Sequence, residues 1–206
     1  MTRENQGQAV KFDLRGCIEK IAKLSALVYS REAHWKANEL VLFPPATEQE
    51  IDTLSQDCPV PLPNSYREFL RITNGCLNFW PCFAFLGTKG EPREIIEKKV
   101  KDAREFLSQY AAGNDGKITP ESIAAFETPT ESGQEFFLPN HLVFGNDRSS
   151  EFYMFNETVV SPEGEFEVVH YNYSGGADPR YPSFRAFLLE TITELEERIK
   201  KKGYAK

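Results

Sequence analysis

Three prolines within five residues, Pro59, Pro61 and Pro63, divide the stretch from Pro44 to Gly75 into two short helices joined by an extended elbow. Each proline removes a backbone amide donor and restricts the chain around it, so Cys58-Pro59-Val60-Pro61-Leu62-Pro63 cannot be helical. Before the elbow, Thr47 is followed three residues later by Glu50, a capping-box pattern, and Ile51 and Leu54 supply an apolar face. After it, Asn64 or Ser65 is expected to cap a second helix. Tyr66, Phe69, Leu70 and Thr73 fall on one stripe of that helix, and Asn74-Gly75 stops it. No side chain in this stretch is set up for chemistry.

The rest of the chain has room for one domain of ordinary size, at 206 residues with 16 Phe and 40% apolar content. A net charge of −7 argues against a nucleic-acid binder that relies on phosphate attraction. No segment approaches the length of a membrane span, and the first residues hold no apolar core for a signal peptide, so a cytoplasmic protein is expected. The four cysteines, Cys17, Cys58, Cys76 and Cys82, match no zinc spacing and read as reduced thiols. His34, His141 and His170 stand singly. No metal or cofactor is expected.

Residues 12–30 carry Leu14, Ile18, Ile21, Ser25 and Val28 at helical spacing. This helix belongs to an N-terminal extension, residues 1–43. It either packs on the domain or offers its apolar face to a partner, and His34 to Phe43 read as connector. After Gly75 an aromatic stretch predicts one or two short strands, with Pro81 at an edge or bend. Residues 93–110 form a long helix with Ile96, Val100, Ala103, Leu107 and Tyr110 on one face. Asn114-Asp115-Gly116 invites comparison with a calcium loop but lacks its alternating acidic ligands. Pro120 to Phe126 predicts one or two helical turns. From Leu142 the pattern changes to strands at 142–144, 152–160 and 166–173, a meander with a tight turn at Ser161-Pro162-Glu163-Gly164. Ser174 to Asp178 reads as a loop before a last helix.

The stretch "ATEQEIDTL…LPNSYREFLRITNG" resembles the opening of the SUKH superfamily, the Smi/Knr-type domain of fungal cell-wall regulators and bacterial immunity proteins. That pattern runs from a capped helix with Thr and Glu through Leu-Pro, Tyr and Phe-Leu to a closing Asn-Gly. Leu62, Pro63, Tyr66, Phe69, Leu70, Asn74 and Gly75 match it. "LVFGNDRSSEFYMFN" is similar to the family's strand, turn and aromatic strand, with Ser150 and Glu151 where the family carries Gly and Asp. Pro182 to Leu188 resembles its closing helix. The resemblance covers a domain at 44–202, with a helical insertion at about 91–126. It implies an α+β fold, a mostly antiparallel twisted sheet with helices packed around it, and work by protein–protein contact without catalysis. Bacterial members often serve as immunity partners of secreted toxins, commonly nucleases.

Charge is unevenly spread. Between Ile118 and His170 ten carboxylates face the single base Arg148, a local charge of −9. Such a field attracts a basic partner and speeds encounter, although acids on half-exposed strands produce the same count. The candidate partner-binding residues are Asp147, Glu151, Glu163, Glu165 and Glu167, with Tyr171 and Tyr173 beside the Gly175-Gly176 loop. Three functions stay open. The first is an immunity protein that neutralises a basic, nuclease-type toxin through this acidic face, as a monomer without direct contact to nucleic acid or membrane. The second is a regulatory scaffold in a signalling or cell-wall pathway, docking through the N-terminal helix. The third is a hydrolase or transferase with an unrecognised pocket, for which no catalytic motif speaks.

Overall fold

The computed structural model describes residues 12–32, 39–113, 141–172 and 176–204. The first part of the expected connector, residues 34–38, the turn at Asn114, the helical turns from Pro120, the carboxylates Glu121, Glu127, Glu131 and Glu135, and Tyr173 lie outside the described residues.

The elements are α1 (Leu14–Arg31), β1 (Val41–Leu42), α2 (Glu48–Asp57), α3 (Asn64–Ile72), β2 (Cys76–Phe79) and β3 (Phe83–Phe85). They continue as α4 (Glu91–Gly113), β4 (Leu142–Asn146), β5 (Glu151–Val160), β6 (Phe166–Asn172), β7 (Gly176–Tyr181) and α5 (Phe184–Lys202). The seven strands form one antiparallel sheet in chain order, so the fold is α+β.

The proline elbow holds α2 and α3 as the pattern requires. The Thr47 hydroxyl accepts from the Glu50 amide at 3.3 Å, and Glu50 accepts from the Thr47 amide at 2.8 Å. Arg71 grips Glu48 at 2.6 Å across the two helices. The cap of α3 differs from expectation. Pro63 occupies the N-cap with no side-chain hydrogen bond, and neither Asn64 nor Ser65 serves. The acceptor is instead Glu165, which takes the Ser65 amide at 3.1 Å and the Ser65 hydroxyl as well. A carboxylate there satisfies an orphan donor and meets the positive end of the helix.

The apolar stripe of α3 enters the core. Tyr66 is fully buried, and its ring touches Phe69, Phe144, Phe155 and Phe184 at centroid distances of 5.2–5.5 Å. Its hydroxyl donates to the Leu86 carbonyl at 2.8 Å. The closing Asn74-Gly75 does more than stop a helix. Asn74 donates to the Thr88 hydroxyl at 2.8 Å and accepts from the Thr88 amide at 2.6 Å. Gly75 sits at φ +76°, and a Cβ there would lie 2.6 Å from the Phe85 carbonyl oxygen, so only glycine fits. The residues that carry the sequence pattern are thus a packing and backbone-joining device.

The apolar face of α1 is turned inward. Leu14, Ile18, Ile21, Val28 and Tyr29 belong to the main core. The Tyr29 hydroxyl donates to the Asn78 and Pro81 carbonyls, each at 3.0 Å. At its end, the buried Glu32 accepts two hydrogen bonds from Arg198 of α5, at 2.8 and 2.6 Å, and the Arg198 guanidinium lies 5.2 Å from the Trp80 ring centroid. Of the two readings open for this helix, packing on the domain is the one realised.

Two strands were not legible in the sequence. β1 lies within the stretch read as connector, and β7 begins within the stretch read as loop. Gly-Ala-Asp-Pro-Arg-Tyr lacks the alternation of a strand; β7 exists because β6 templates it, from Asn172↔Gly176 to Val168↔Tyr181. Pro179 is tolerated because β7 is the last strand and needs hydrogen bonds on one side only. The central strands are also more enclosed than half-exposed strands would be. Tyr153 and Phe155 face α5, while Phe152 and Met154 alternate with them and are equally buried, so the sheet here is covered on both faces.

Candidate protein-binding surface

The β4–β5 turn is built by its own polar residues. Asp147 Oδ1 accepts from the Ser149 amide at 2.8 Å and the Glu151 amide at 3.0 Å. Asn146 accepts from the Arg148 amide and donates to the Glu151 carbonyl. Arg148 takes the left-handed conformation, φ +66°, which shapes this turn without a glycine. Asp147 and Glu151 are thereby held side by side, half-buried. Glu151 Oε2 lies 3.2 Å from His170 Nε2, a diagonal neighbour on β6, where His170 pairs with Tyr153 in the ladder.

The remaining expected contact residues do not join them. Glu163 is exposed at the turn between β5 and β6, where the Gly164 amide closes onto the Ser161 carbonyl at 2.9 Å. β5 spans ten residues, so this turn lies roughly 30 Å from Asp147 and Glu151. Glu165 is only 4% exposed and is consumed in capping α3. Glu167 accepts from Asn156 at 2.7 Å and faces Arg180 at 3.7 Å, so its charge is matched within the fold. Tyr171 is a buried ladder partner of Phe152 and offers no open surface. The acidic residues expected on one face of β5 and β6 thus lie at two separate ends of a hairpin, with Glu165 and Glu167 held between them. Strand alternation and internal capping turn the intervening carboxylates inward.

The structure adds acids that the charge count passed over. Glu190, Glu194 and Glu197 follow one another at helical spacing on the exposed side of α5, and none pairs with a cation among the described residues. Burial and the flanking Glu190 and Glu197 charges push the Glu194 carboxyl above its ordinary range. Glu194 and Glu151 both act on the Tyr153 hydroxyl, which burial, the largest cause, pushes well above its ordinary value. The Cys82 thiol is raised chiefly by burial and then by Asp147 and Glu151, with Arg148 opposing. The α5 row and the β4–β5 turn thus contribute to one local field. In the sequence its signal is three carboxylates four and three residues apart, beyond the acidic Ile118–His170 stretch.

Other polar groups read as structural. His141 Nδ1 lies 2.9 Å from Glu157. Burial pushes the Glu157 carboxyl up, but the His141 hydrogen bond and its own backbone amide outweigh this and hold it below its ordinary value. All four cysteines are free thiols, and burial raises Cys58 to about 11. Among the described residues no three His, Cys, Asp or Glu side chains gather as a metal site would require. No described helix is long and apolar enough to cross a membrane.

No curated protein matches the chain. The family model described as the SMI1 / KNR4 family (SUKH-1) matches residues 45–190. The match takes in the α2–elbow–α3 unit, the whole sheet from β2 to β7 and the start of α5. It leaves out α1 and the part of α5 against which Glu32 is anchored. Since it spans well over half of the sequence and the elements it covers assemble into one sheet with its packed helices, this chain belongs to the SMI1/KNR4 family (SUKH-1).

Proposed function

We propose that this chain is a non-catalytic protein-binding domain of the immunity type, acting in the cytoplasm to neutralise a basic, nuclease-type toxin by occupying its cationic groove with carboxylates. The observation that carries this reading is the group formed by Asp147, Glu151 and the α5 row. Glu151 and Glu194 both act on the Tyr153 hydroxyl, and the α5 row and Asp147 form no ion pair with Lys or Arg among the described residues. Unmatched carboxylates cost folding stability through mutual repulsion, and a partner of opposite charge would relieve it. Glu163, exposed at the far end of the β5–β6 hairpin, is a secondary contact in this reading.

The regulatory-adaptor alternative loses its docking element, because the apolar stripe of α1 is buried in the core. The test is capture from native lysate with wild type and with the double variant Glu151→Lys and Glu194→Lys, at low and high salt, followed by co-expression with the captured protein. A basic protein held only by wild type, released by salt and deprived of its toxicity on co-expression, is expected. The same proteins held by both baits would discard the acidic end as the contact. A captured protein whose activity persists would make this chain an adaptor.

A further inference from the structure

Tyr153 is unlike the other buried tyrosines whose hydroxyl bonds are described. Tyr29 and Tyr66 each donate to backbone carbonyls. Tyr153 is 7% exposed, with its ring against Phe83, His170 and Phe187 at centroid distances of 4.5, 4.7 and 4.7 Å. Its hydroxyl has no hydrogen-bond partner among the described residues, although buried tyrosine hydroxyls normally find one. The oxygen is not sealed in the interior. Glu151 stands on one side of it, held by His170. On the other side runs α5, where Phe187 packs on the Tyr153 ring and Glu194 follows two turns later on the same stripe. The result is a hydroxyl acceptor at the base of a notch, with a carboxylate on each wall.

We propose that this notch seats an arginine guanidinium from a protein partner, bridging Glu151 and Glu194 and donating one N–H to the Tyr153 hydroxyl. The inference rests on the protein-binding reading above and specifies its chemistry. A guanidinium suits the place because it carries several donors in a fixed plane and stays charged, whereas an ammonium concentrates its charge at one point. Glu190 and Glu197 flank the seat and strengthen its field without touching the seated group. Among the described residues Arg198 is committed to Glu32, and Arg180 pairs with Glu167.

The test uses the full chain and a fluorescently labelled nona-arginine peptide, with nona-lysine of equal charge beside it, followed by anisotropy at low and at physiological salt. The variants are Glu190→Gln/Glu194→Gln/Glu197→Gln together, Tyr153→Phe, and Glu163→Gln at the opposite end. Thermal unfolding of each variant confirms that the fold is kept. Nona-arginine is expected to bind wild type several-fold more tightly than nona-lysine, to weaken roughly tenfold with the α5 variant and about threefold with Tyr153→Phe, and to ignore Glu163→Gln. Equal affinity for the two peptides, or no effect of Tyr153→Phe, would overturn the guanidinium seat. Weakening by Glu163→Gln alone would move binding to the hairpin turn and leave the protein-binding reading standing. Absence of any binding of nona-arginine by wild type would remove both.

Discussion

Glu165 reaches Ser65 across one hundred positions of sequence and caps the first turn of α3, accepting from its amide at 3.1 Å. The β5–β6 turn is thereby clamped to the helix that carries most of the family pattern. Glu165→Ala should cost about 1–3 kcal/mol, because the Ser65 amide and hydroxyl stay buried without an acceptor. Glu165→Gln should cost less, since its amide oxygen still receives the Ser65 N–H. Urea unfolding of the three proteins checks the order, and an Ala variant as stable as wild type would show that the clamp contributes nothing.

The pair of Glu32 and Arg198 ties the end of α1 to the end of α5. Glu32 is 7% exposed, so Arg198→Met leaves a buried carboxylate without its guanidinium and is expected to destabilise by about 3 kcal/mol, even though the Tyr204 hydroxyl still donates to it at 3.2 Å. The double variant Glu32→Gln/Arg198→Met should recover most of that loss, because the buried charge is then gone. A double-mutant cycle measures the coupling, and additive single effects would contradict it.

Removing residues 1–38 takes α1 out of the core, including Ile21 and Val28, which are fully buried. Each such side chain contributes about 1.5–3 kcal/mol, so their combined loss exceeds what a domain of this size can spare. The trimmed chain should lose cooperative thermal unfolding. A sharp transition at the wild-type Tm would instead make α1 dispensable to the fold.

Glu50 links stability to acid pH. The hydrogen bond from Lys89, followed by those from the Thr47 backbone and hydroxyl, lowers its carboxyl to about 2. Its folded value lies below the unfolded one, so its contribution is full above about 4.5 and is lost as pH falls toward 2. The gap in Tm between wild type and Glu50→Gln should therefore be constant at neutral pH and close between pH 4.5 and pH 2. A gap that persists to the bottom of that window would show that the capping box does not depend on the carboxylate charge.

Glu194 has the opposite sign. Its carboxyl is raised by burial and by Glu190 and Glu197, so ionisation weakens the folded state as pH climbs above the ordinary carboxylate range. Glu194→Gln should raise Tm at neutral pH by about 1–3 °C, a small gain because solvent screens these charges. The gain should vanish in acid, where wild type is protonated as well. A Tm at neutral pH equal to or below that of wild type would remove the repulsion.

The α2–elbow–α3 unit was legible at the level of residues because its causes are local. Prolines forbid helix at their own positions, Thr47 and Glu50 are one turn apart, and the apolar stripe of α3 has helical spacing. The strands β4, β5 and β6 and the stripe of α1 announced themselves by periodicity in the same way. The acidic site was only half legible. Composition reports how many carboxylates a segment holds, whereas their availability depends on partners far along the chain. Glu165 and Glu163 are two residues apart, yet Ser65 takes one inward, while the other stays exposed and forms no ion pair among the described residues.

The sequence by itself determined where helices start and stop, which faces are apolar, and the family to which the elbow and its flanks point, since all of these are written in spacings shorter than about two helical turns. Tertiary structure alone decided that β7 is a strand, that α1 is core, that Tyr171 is closed off, and that Glu151 and Glu194 both act on Tyr153. A strand at the edge of a sheet takes its conformation from its neighbour's hydrogen bonds, and a charge takes its meaning from what the fold places beside it.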